Sequence, residues 1–320
     1  MSRGNKLIAI ALGALVALML SVAVGASLSW APDKPVEALK ARWAQPPSQF
    51  IAVQGMQVHL RDEGPRGDPE PVVLLHGTSA SLHTWEGWAQ ALRATRRVIR
   101  FDLPGFALTG PSPDNDYSTE AYVRFVGAML DTLGVSRCVL AGNSLGGQIA
   151  WSFALAQPER VSRLILVDAS GYPPKSQSVP IGFRIARMPV LRELMQNTLP
   201  MSLVEASVKS VYGDPAKVTP QLVALYADMT LRAGNRRALV RRLEQGYLAD
   251  YEAIKTIRQP TLILWGGKDR LIPPEFAQRF RQDIALARLV VFDALGHVPH
   301  EEDPQATVAA VQRFLAQPPG

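Results

Sequence analysis

The stretch Gly142-Asn143-Ser144-Leu145-Gly146 decides how this chain is read. Upstream, Arg137 to Ala141 (Arg-Cys-Val-Leu-Ala) has the character of a short buried strand, and downstream Leu145 to Gln157 reads as a helix that stops before Pro158. Ser144 therefore falls on a strand-to-helix turn, a strained corner that displays a serine hydroxyl and presses backbone against backbone. Small residues are needed two before and two after such a serine, and Gly142 and Gly146 supply them. A glycine-rich loop beside an ordinary serine has the same spelling, so the reading depends on what the rest of the chain offers.

Working outward, short apolar runs alternate with helical segments. Pro71 to Leu75, Arg97 to Phe101, Cys138 to Ala141, Leu164 to Val167, Thr261 to Trp265 and Leu289 to Phe292 are continuous apolar runs, as expected of parallel strands buried on both faces. Helices are predicted over Leu82 to Leu92, Thr119 to Leu133, Leu145 to Gln157, Pro274 to Ile284 and Pro304 to Ala316, with Ser118 and Asp303 as caps. Phe50 to Val53 and Met56 to Arg61 flank Gln54-Gly55 as a β-hairpin. The expected fold is α/β, a doubly wound, mostly parallel sheet with right-handed crossovers. Gly171 to Arg258 breaks the alternation with helical segments at Leu191 to Thr198, Leu203 to Tyr212, Gln221 to Arg232 and Asn235 to Asp250. An all-helical insertion between two strands belongs above the C-terminal edge of the sheet, where ligands bind in open α/β sheets. The expected organisation is a core over residues 50–170 and 259–320, with a helical cap over 171–258.

The first thirty residues read as a separate unit. Leu7 to Ser29 carries no charge, and its 23 residues would make a helix of roughly 34 Å, enough for a hydrocarbon core of about 30 Å. A transmembrane anchor is expected here, with Arg3 and Lys6 on the cytoplasmic side and the rest of the chain outside the cytoplasm. A cleaved signal peptide is the competing reading, with small residues at Val24-Gly25-Ala26. Residues 31–49, with four prolines between Pro32 and Pro47, read as a linker holding at most a short helix over Val36 to Trp43.

Composition sets the broad class. In 320 residues, 47% hydrophobic and 19% charged, the chain has the makings of a large core and is neither disordered nor fibrous. The net charge of +6 is dispersed, and its one dense patch, Arg236-Arg237 with Arg241-Arg242, reads as a solvated helix face, so no nucleic-acid partner is expected. Cys138 stands alone inside a strand, which excludes an internal disulfide and a cysteine metal cluster. No metal or organic cofactor is implied.

A serine hydroxyl at neutral pH needs a base within hydrogen-bond reach and an acid to hold that base. Among five histidines, His297 in Leu295-Gly296-His297 follows the last strand and emerges at the same edge as Ser144. His59 reads as a strand-surface residue, His76 as immobilised beside Gly77, and His83 and His300 as less well placed. Asp269, after the strand Thr261 to Trp265, is the expected acid; Asp168, at another strand end, is its rival, and Asp293 lies too near its own strand. The order Ser144, Asp269, His297 suits this architecture. Backbone amides of Leu145, at the helix start, and Thr78, after His76-Gly77, are the expected oxyanion donors, each worth roughly 3 to 4 kcal/mol in a transition state.

Taken together, Leu74-Leu75-His76-Gly77, Asp102-Leu103-Pro104-Gly105, Gly142 to Gly147, Pro158-Glu159-Arg160-Val161, Gly266-Gly267-Lys268-Asp269 and Gly296-His297 resemble the α/β-hydrolase family, in the family's order, from about Phe50 to Ala316. The resemblance implies Ser144 as nucleophile, His297 as base, Asp269 as orienting acid, Thr78 and Leu145 as oxyanion donors, and Asp102 to Gly105 as a structural turn. Ser144 argues against the haloalkane dehalogenases and epoxide hydrolases of this fold, which attack with aspartate. Gly-Asn-Ser-Leu-Gly-Gly and the cap are similar to those of C–C bond hydrolases of aromatic ring-cleavage products, but these usually carry tryptophan after the histidine, where this chain has Val298-Pro299. Cofactor-free haloperoxidases share the same residues. Thr78 to Trp85 resembles some bacterial lipase-like esterases, and hydrolysis of a small-molecule acyl ester is the expected activity. A ligand receptor or interaction module on the same fold is the non-enzymatic alternative, which the complete residue set disfavours.

Overall fold

The computed structural model describes residues 29–173, 197–246 and 250–317, together with Met188 and scattered positions among the first 28 residues. Eight strands form one sheet in the order β1-β2-β4-β3-β5-β6-β7-β8. They are β1 (Gln49–Val53), β2 (Met56–Glu63), β3 (Val72–Leu75), β4 (Val98–Phe101), β5 (Cys138–Asn143), β6 (Val161–Val167), β7 (Thr261–Gly266) and β8 (Ala287–Phe292). Strands β3 to β8 run parallel, whereas β2 is antiparallel to both β1 and β4. The predicted hairpin is present, and Gln54 and Gly55 both take positive φ (48° and 76°), as a two-residue type I′ connection requires.

The apolar runs of β3 to β7 are buried on both faces because their side chains alternate between two separate cores, whereas the run Leu289 to Phe292, expected to be buried likewise, lies on the edge strand β8 and leaves Val291 exposed. Val73, Leu75, Ile99, Phe101, Leu140, Leu164, Leu166 and Ile263 join one cluster, while Val72, Leu74, Val98, Val139, Ala141, Ile165, Val167 and Leu262 join the other. Helices cover both clusters, making three layers. The first face receives α3 (Thr119–Thr132), α4 (Leu145–Ala156) and α8 (Glu275–Asp283), and the second receives α2 (Glu86–Leu92) and α10 (Pro304–Leu315). Each fully buried large side chain contributes about 1.5–3 kcal/mol. The predicted caps are in place: Ser118 accepts from the Ala121 amide and Asp303 from the Ala306 amide, which satisfies first-turn donors of α3 and α10.

Between β6 and β7 lie α5 (Met201–Val211), α6 (Pro220–Leu231) and α7 (Asn235–Gln245). Most of the helix expected over Leu191 to Thr198 falls outside the described residues. Helix α7 is shorter than expected, ending at Gln245 before Gly246, whose φ of 73° is one that residues with a side chain rarely adopt. The stretch read as a linker contains α1 (Val36–Trp43), which is clasped to α6: Asp228 accepts from Lys34 Nζ (2.7 Å), Arg42 (3.1 Å) and Trp43 Nε1 (2.8 Å).

Two expectations are corrected. Among the described residues no helix is long and apolar enough to cross a membrane. A span needs about 20 consecutive apolar helical residues, so the expected N-terminal transmembrane helix is not supported, and with it the membrane as a partner; much of the stretch 7–29 lies outside the described residues. His59, read as a surface residue, is fully buried. Its Nδ1 is 2.8 Å from Asp102 and its Nε2 2.9 Å from Ser48, and Phe50 stacks on its ring, so both polar ends are satisfied inside the protein.

Candidate active site

Ser144 has φ 54° and ψ −115°, a conformation that β-carbon sterics disfavour, directly between β5 and α4. Two backbone approaches over-determine this corner. A methyl group at Gly142 would collide with the Gly146 carbonyl, and one at Gly146 would collide with the Leu75 and His76 carbonyls at the end of β3. Only glycine lets the helix start press this closely on two strands. The Ser144 amide donates to the Val167 carbonyl, and the Ser144 carbonyl accepts from the amides of Ser170 and Gln148, each at 3.0 Å. The residue is buried to 8% exposure.

Asp269, in the loop after β7, accepts from the amides of Leu271 (2.8 Å) and Ile272 (3.0 Å) through Oδ1. Its Oδ2 lies 2.7 Å from Nδ1 of His297, in the loop after β8. Both side chains are buried, which strengthens the contact relative to water. This geometry fixes the imidazole with Nδ1–H toward the carboxylate and leaves Nε2 as the basic nitrogen. Asn143 joins the end of β6 to the loop after β8, donating through Nδ2 to the carbonyls of Val167 (3.1 Å) and His297 (3.0 Å). The residue before the serine thus holds the backbone of the histidine.

Leu145 opens α4, so its amide is one of the first-turn donors without an intrahelical acceptor. The Thr78 turn approaches the same corner: a methyl group on Gly77 would lie 3.2 Å from Ser144 Cβ. His76 is fully buried, with Nδ1–H donating to the Gly77 carbonyl (2.8 Å) and Nε2 accepting from the Leu103 amide (2.9 Å). Burial pushes its pKa down, so it is a neutral brace for this turn. Asp102 braces the neighbouring turn, accepting from the amides of Leu82 (2.8 Å) and Leu108 (3.0 Å).

Two site residues were not anticipated from sequence. Asn143 had no role in the expected pattern. Glu302 accepts from the amides of Gly296 (2.8 Å), Gly213 (2.9 Å) and Asp214 (2.8 Å), tying the histidine loop to the end of α5. The signal for it was faint, an acid five residues after His297 in front of the cap Asp303 and Pro304. Asp168, the rival acid, is at the site but does not bond His297. Asp168, Asp269 and His297 each offer a ligand atom within 4.8 Å of the others, the spacing a metal ion would need. The donor set fits a cation poorly, because Nδ1 of His297 and both oxygens of Asp269 already hold hydrogen bonds.

The arrangement offers a hydroxyl on a strained corner, a buried imidazole–carboxylate pair and two amides at one sheet edge. The family described as alpha/beta hydrolase fold matches residues 70–304. A protein of Mycobacterium tuberculosis named only as uncharacterized is 31% identical over 293 residues, covering 85% of this chain and 82% of its own. The 2-hydroxy-6-oxo-2,4-heptadienoate hydrolase of Pseudomonas putida is 30% identical over 285 residues, covering 84% and 96%. Among solved structures, a meta-cleavage product hydrolase from Pseudomonas fluorescens superposes with a TM-score of 0.72 at 26% identity, covering 83% of this chain and 97% of its own.

Proposed function

We propose, on the premise that this chain belongs to the alpha/beta hydrolase fold family, that it is a hydrolase that cleaves carboxylic esters through an acyl-enzyme on Ser144. The observation that carries the reading is the 2.7 Å bond from His297 Nδ1 to Asp269, set beside a serine held at φ 54°. In this reading Ser144 Oγ attacks the acyl carbon and its proton passes to Nε2 of His297. Asp269 stabilises the imidazolium, and the amides of Thr78 and Leu145 receive the oxyanion. The alkoxide leaves with the proton from His297, and water then repeats the sequence to release the acid. Ester cleavage needs only this one proton shuttle.

The relatives favour a second reading. The Pseudomonas putida relative is named a 2-hydroxy-6-oxo-2,4-heptadienoate hydrolase, and carried to this chain that name would mean hydrolysis of a C–C bond. What favours the ester over it is the position after the base. Val298 is buried in the cap's own apolar cluster with Leu199, Val204, Val208 and Tyr212, where C–C hydrolases usually place tryptophan.

The test is a panel of acyl esters of graded chain length beside a 2-hydroxy-6-oxo-dienoate, combined with labelling by a fluorophosphonate. Ester turnover and labelling are expected in the full chain, and both are expected to vanish in Ser144→Ala, a loss on the order of 10⁶-fold in kcat, with the circular dichroism spectrum unchanged. Higher kcat/KM on the dienoate than on every ester would replace the first reading with the second. Full activity in Ser144→Ala would remove both.

A further inference from the structure

Asp168 follows β6, and its carboxyl is completely buried. Oδ1 accepts from the Gly266 amide at 2.9 Å, while Oδ2 has no hydrogen-bond partner as a carboxylate oxygen. Beside it stands Asp269, whose own oxygens are already engaged by two amides and by His297. Two ionised carboxylates offer only acceptors to each other, and two buried like charges with oxygens within 4.8 Å of each other repel strongly. One proton removes both difficulties, since a neutral carboxyl donates where a carboxylate cannot.

We propose that Asp168 is a positioning residue that stays protonated and donates its O–H to Asp269, locking the acid that orients His297. The proposal rests on the Ser144–His297–Asp269 reading above. The remaining surroundings agree with it. Burial, followed by the charge of Asp269, pushes the Asp168 carboxyl well above the usual carboxylate range. The ionisable groups that face it are Asp269 from the β7 loop, His297 from the β8 loop and Glu302 from α9 (Pro299–Glu302), with His300 beyond His297. The two other acids, Asp269 and Glu302, both disfavour a further negative charge. The position also suits an amide: φ at Asp168 is +43°, a region asparagine tolerates as well as aspartate. An asparagine side chain at this position would keep the acceptor for the Gly266 amide and a donor for Asp269.

The test compares Asp168→Asn with Asp168→Leu in the full chain. Asp168→Asn, a neutral donor like the protonated acid, is expected to keep kcat within about threefold, and Asp168→Leu to lose on the order of 100-fold in kcat with KM little changed, the scale of a misplaced reacting group. The readout that a packing role would not move is the infrared carbonyl band of a protonated carboxyl. The native protein is expected to show this band at neutral pH, and Asp168→Asn to lose it. If Asp168 were ionised, no such band would exist to lose, and that result overturns the proposal. The readout needs no turnover, so it stands even if the ester reading fails.

Discussion

The sheet edge and the cap seat are held together in opposite ways. At the edge, Ser144, Asp269 and His297 are fixed by main chain: strand ends, glycine contacts and amide donors to carboxylates. The helices α5 and α6 are seated instead by single acidic side chains that gather donors from distant parts of the chain. Asp228 of α6 takes Lys34, Arg42 and Trp43. Glu301 takes the hydroxyls of Tyr212 (3.0 Å), Tyr226 (3.0 Å) and Thr84. The difference matters because backbone-held groups keep their geometry through many substitutions, whereas a seat built on a few carboxylates answers to each of them. In the function proposed above, chemistry falls on the rigid part and substrate access on the adjustable part.

After the loss expected in Ser144→Ala, the largest expected effect tests the rigid side. Asp269→Asn should lower kcat on the order of 10⁴-fold, because an amide no longer favours the imidazolium that forms as the serine reacts. Stability should change little, since the amide oxygen of the variant can still accept from Leu271 and Ile272. Steady-state kinetics beside thermal unfolding checks both halves. A greater loss in Asp168→Asn than in Asp269→Asn would exchange the roles of the two acids and break the contrast at its centre.

A smaller effect tests the joint between the core and the N-terminal segment. His83 donates through Nε2 to the Trp43 carbonyl (2.9 Å), and its Nδ1 pairs with the Ser81 hydroxyl (3.0 Å). As a neutral ring it is satisfied at both ends, and burial pushes its pKa down to about 4. The unfolded chain binds this proton near pH 6.5, so stability present above that pH is lost as the pH falls toward 4, by up to about 3 kcal/mol. At Asp102 burial disfavours the charge, but His59, His76 and His83 outweigh it and bring the carboxyl down to about 2, which adds a further loss as the pH drops from 3.8 toward that value. Thermal unfolding from pH 7 to 4 should show the first loss in the native protein and a flatter curve in His83→Gln. An unchanged slope in that variant would assign the acid sensitivity elsewhere.

The contrast also explains what the sequence could disclose. Strands β3 to β7 were legible because both faces are buried, and Val72, Val73, Leu74 and Leu75 can only be apolar under such a constraint. Gly142, Ser144 and Gly146 were legible because a sharp turn tolerates few residue types. His59 was misread because its partners, Ser48 and Asp102, are brought to it by the chain entering β1 and leaving β4, and alternation along β2 cannot tell a satisfied polar core from a surface. Asp228, Glu301 and Glu302 were illegible for the same reason on a longer scale, their donors lying 75 to 217 residues away for the first two. Asp168 was placed at a strand end correctly, but the orphaned oxygen that gives it meaning exists only once two loops meet.

The smallest expected effect separates the two regions most cleanly. Tyr226→Phe removes one of three hydroxyl donors from Glu301 and changes nothing on the sheet edge. Loss of a single hydrogen bond to a carboxyl oxygen costs about 1.5 kcal/mol of stability when the other donors remain. Because the lost contact joins α6 to α9, the cost should fall on the seating of the cap, raising KM several-fold with kcat within about twofold. Burial pushes the Glu301 carboxyl above its usual range, although three hydroxyls oppose that shift, so the folded chain holds this proton more tightly than the unfolded one. Its contribution is therefore complete below pH 4.5 and declines as the pH rises through the folded value, opposite in sign to that of His83. Tyr226→Phe, by removing one of the opposing hydroxyls, should move this decline to higher pH without touching the acid limb set by His83. A fall of 100-fold in kcat would instead place Glu301 and its hydroxyls within the chemistry of Ser144, and the division between a rigid edge and an adjustable seat would fail.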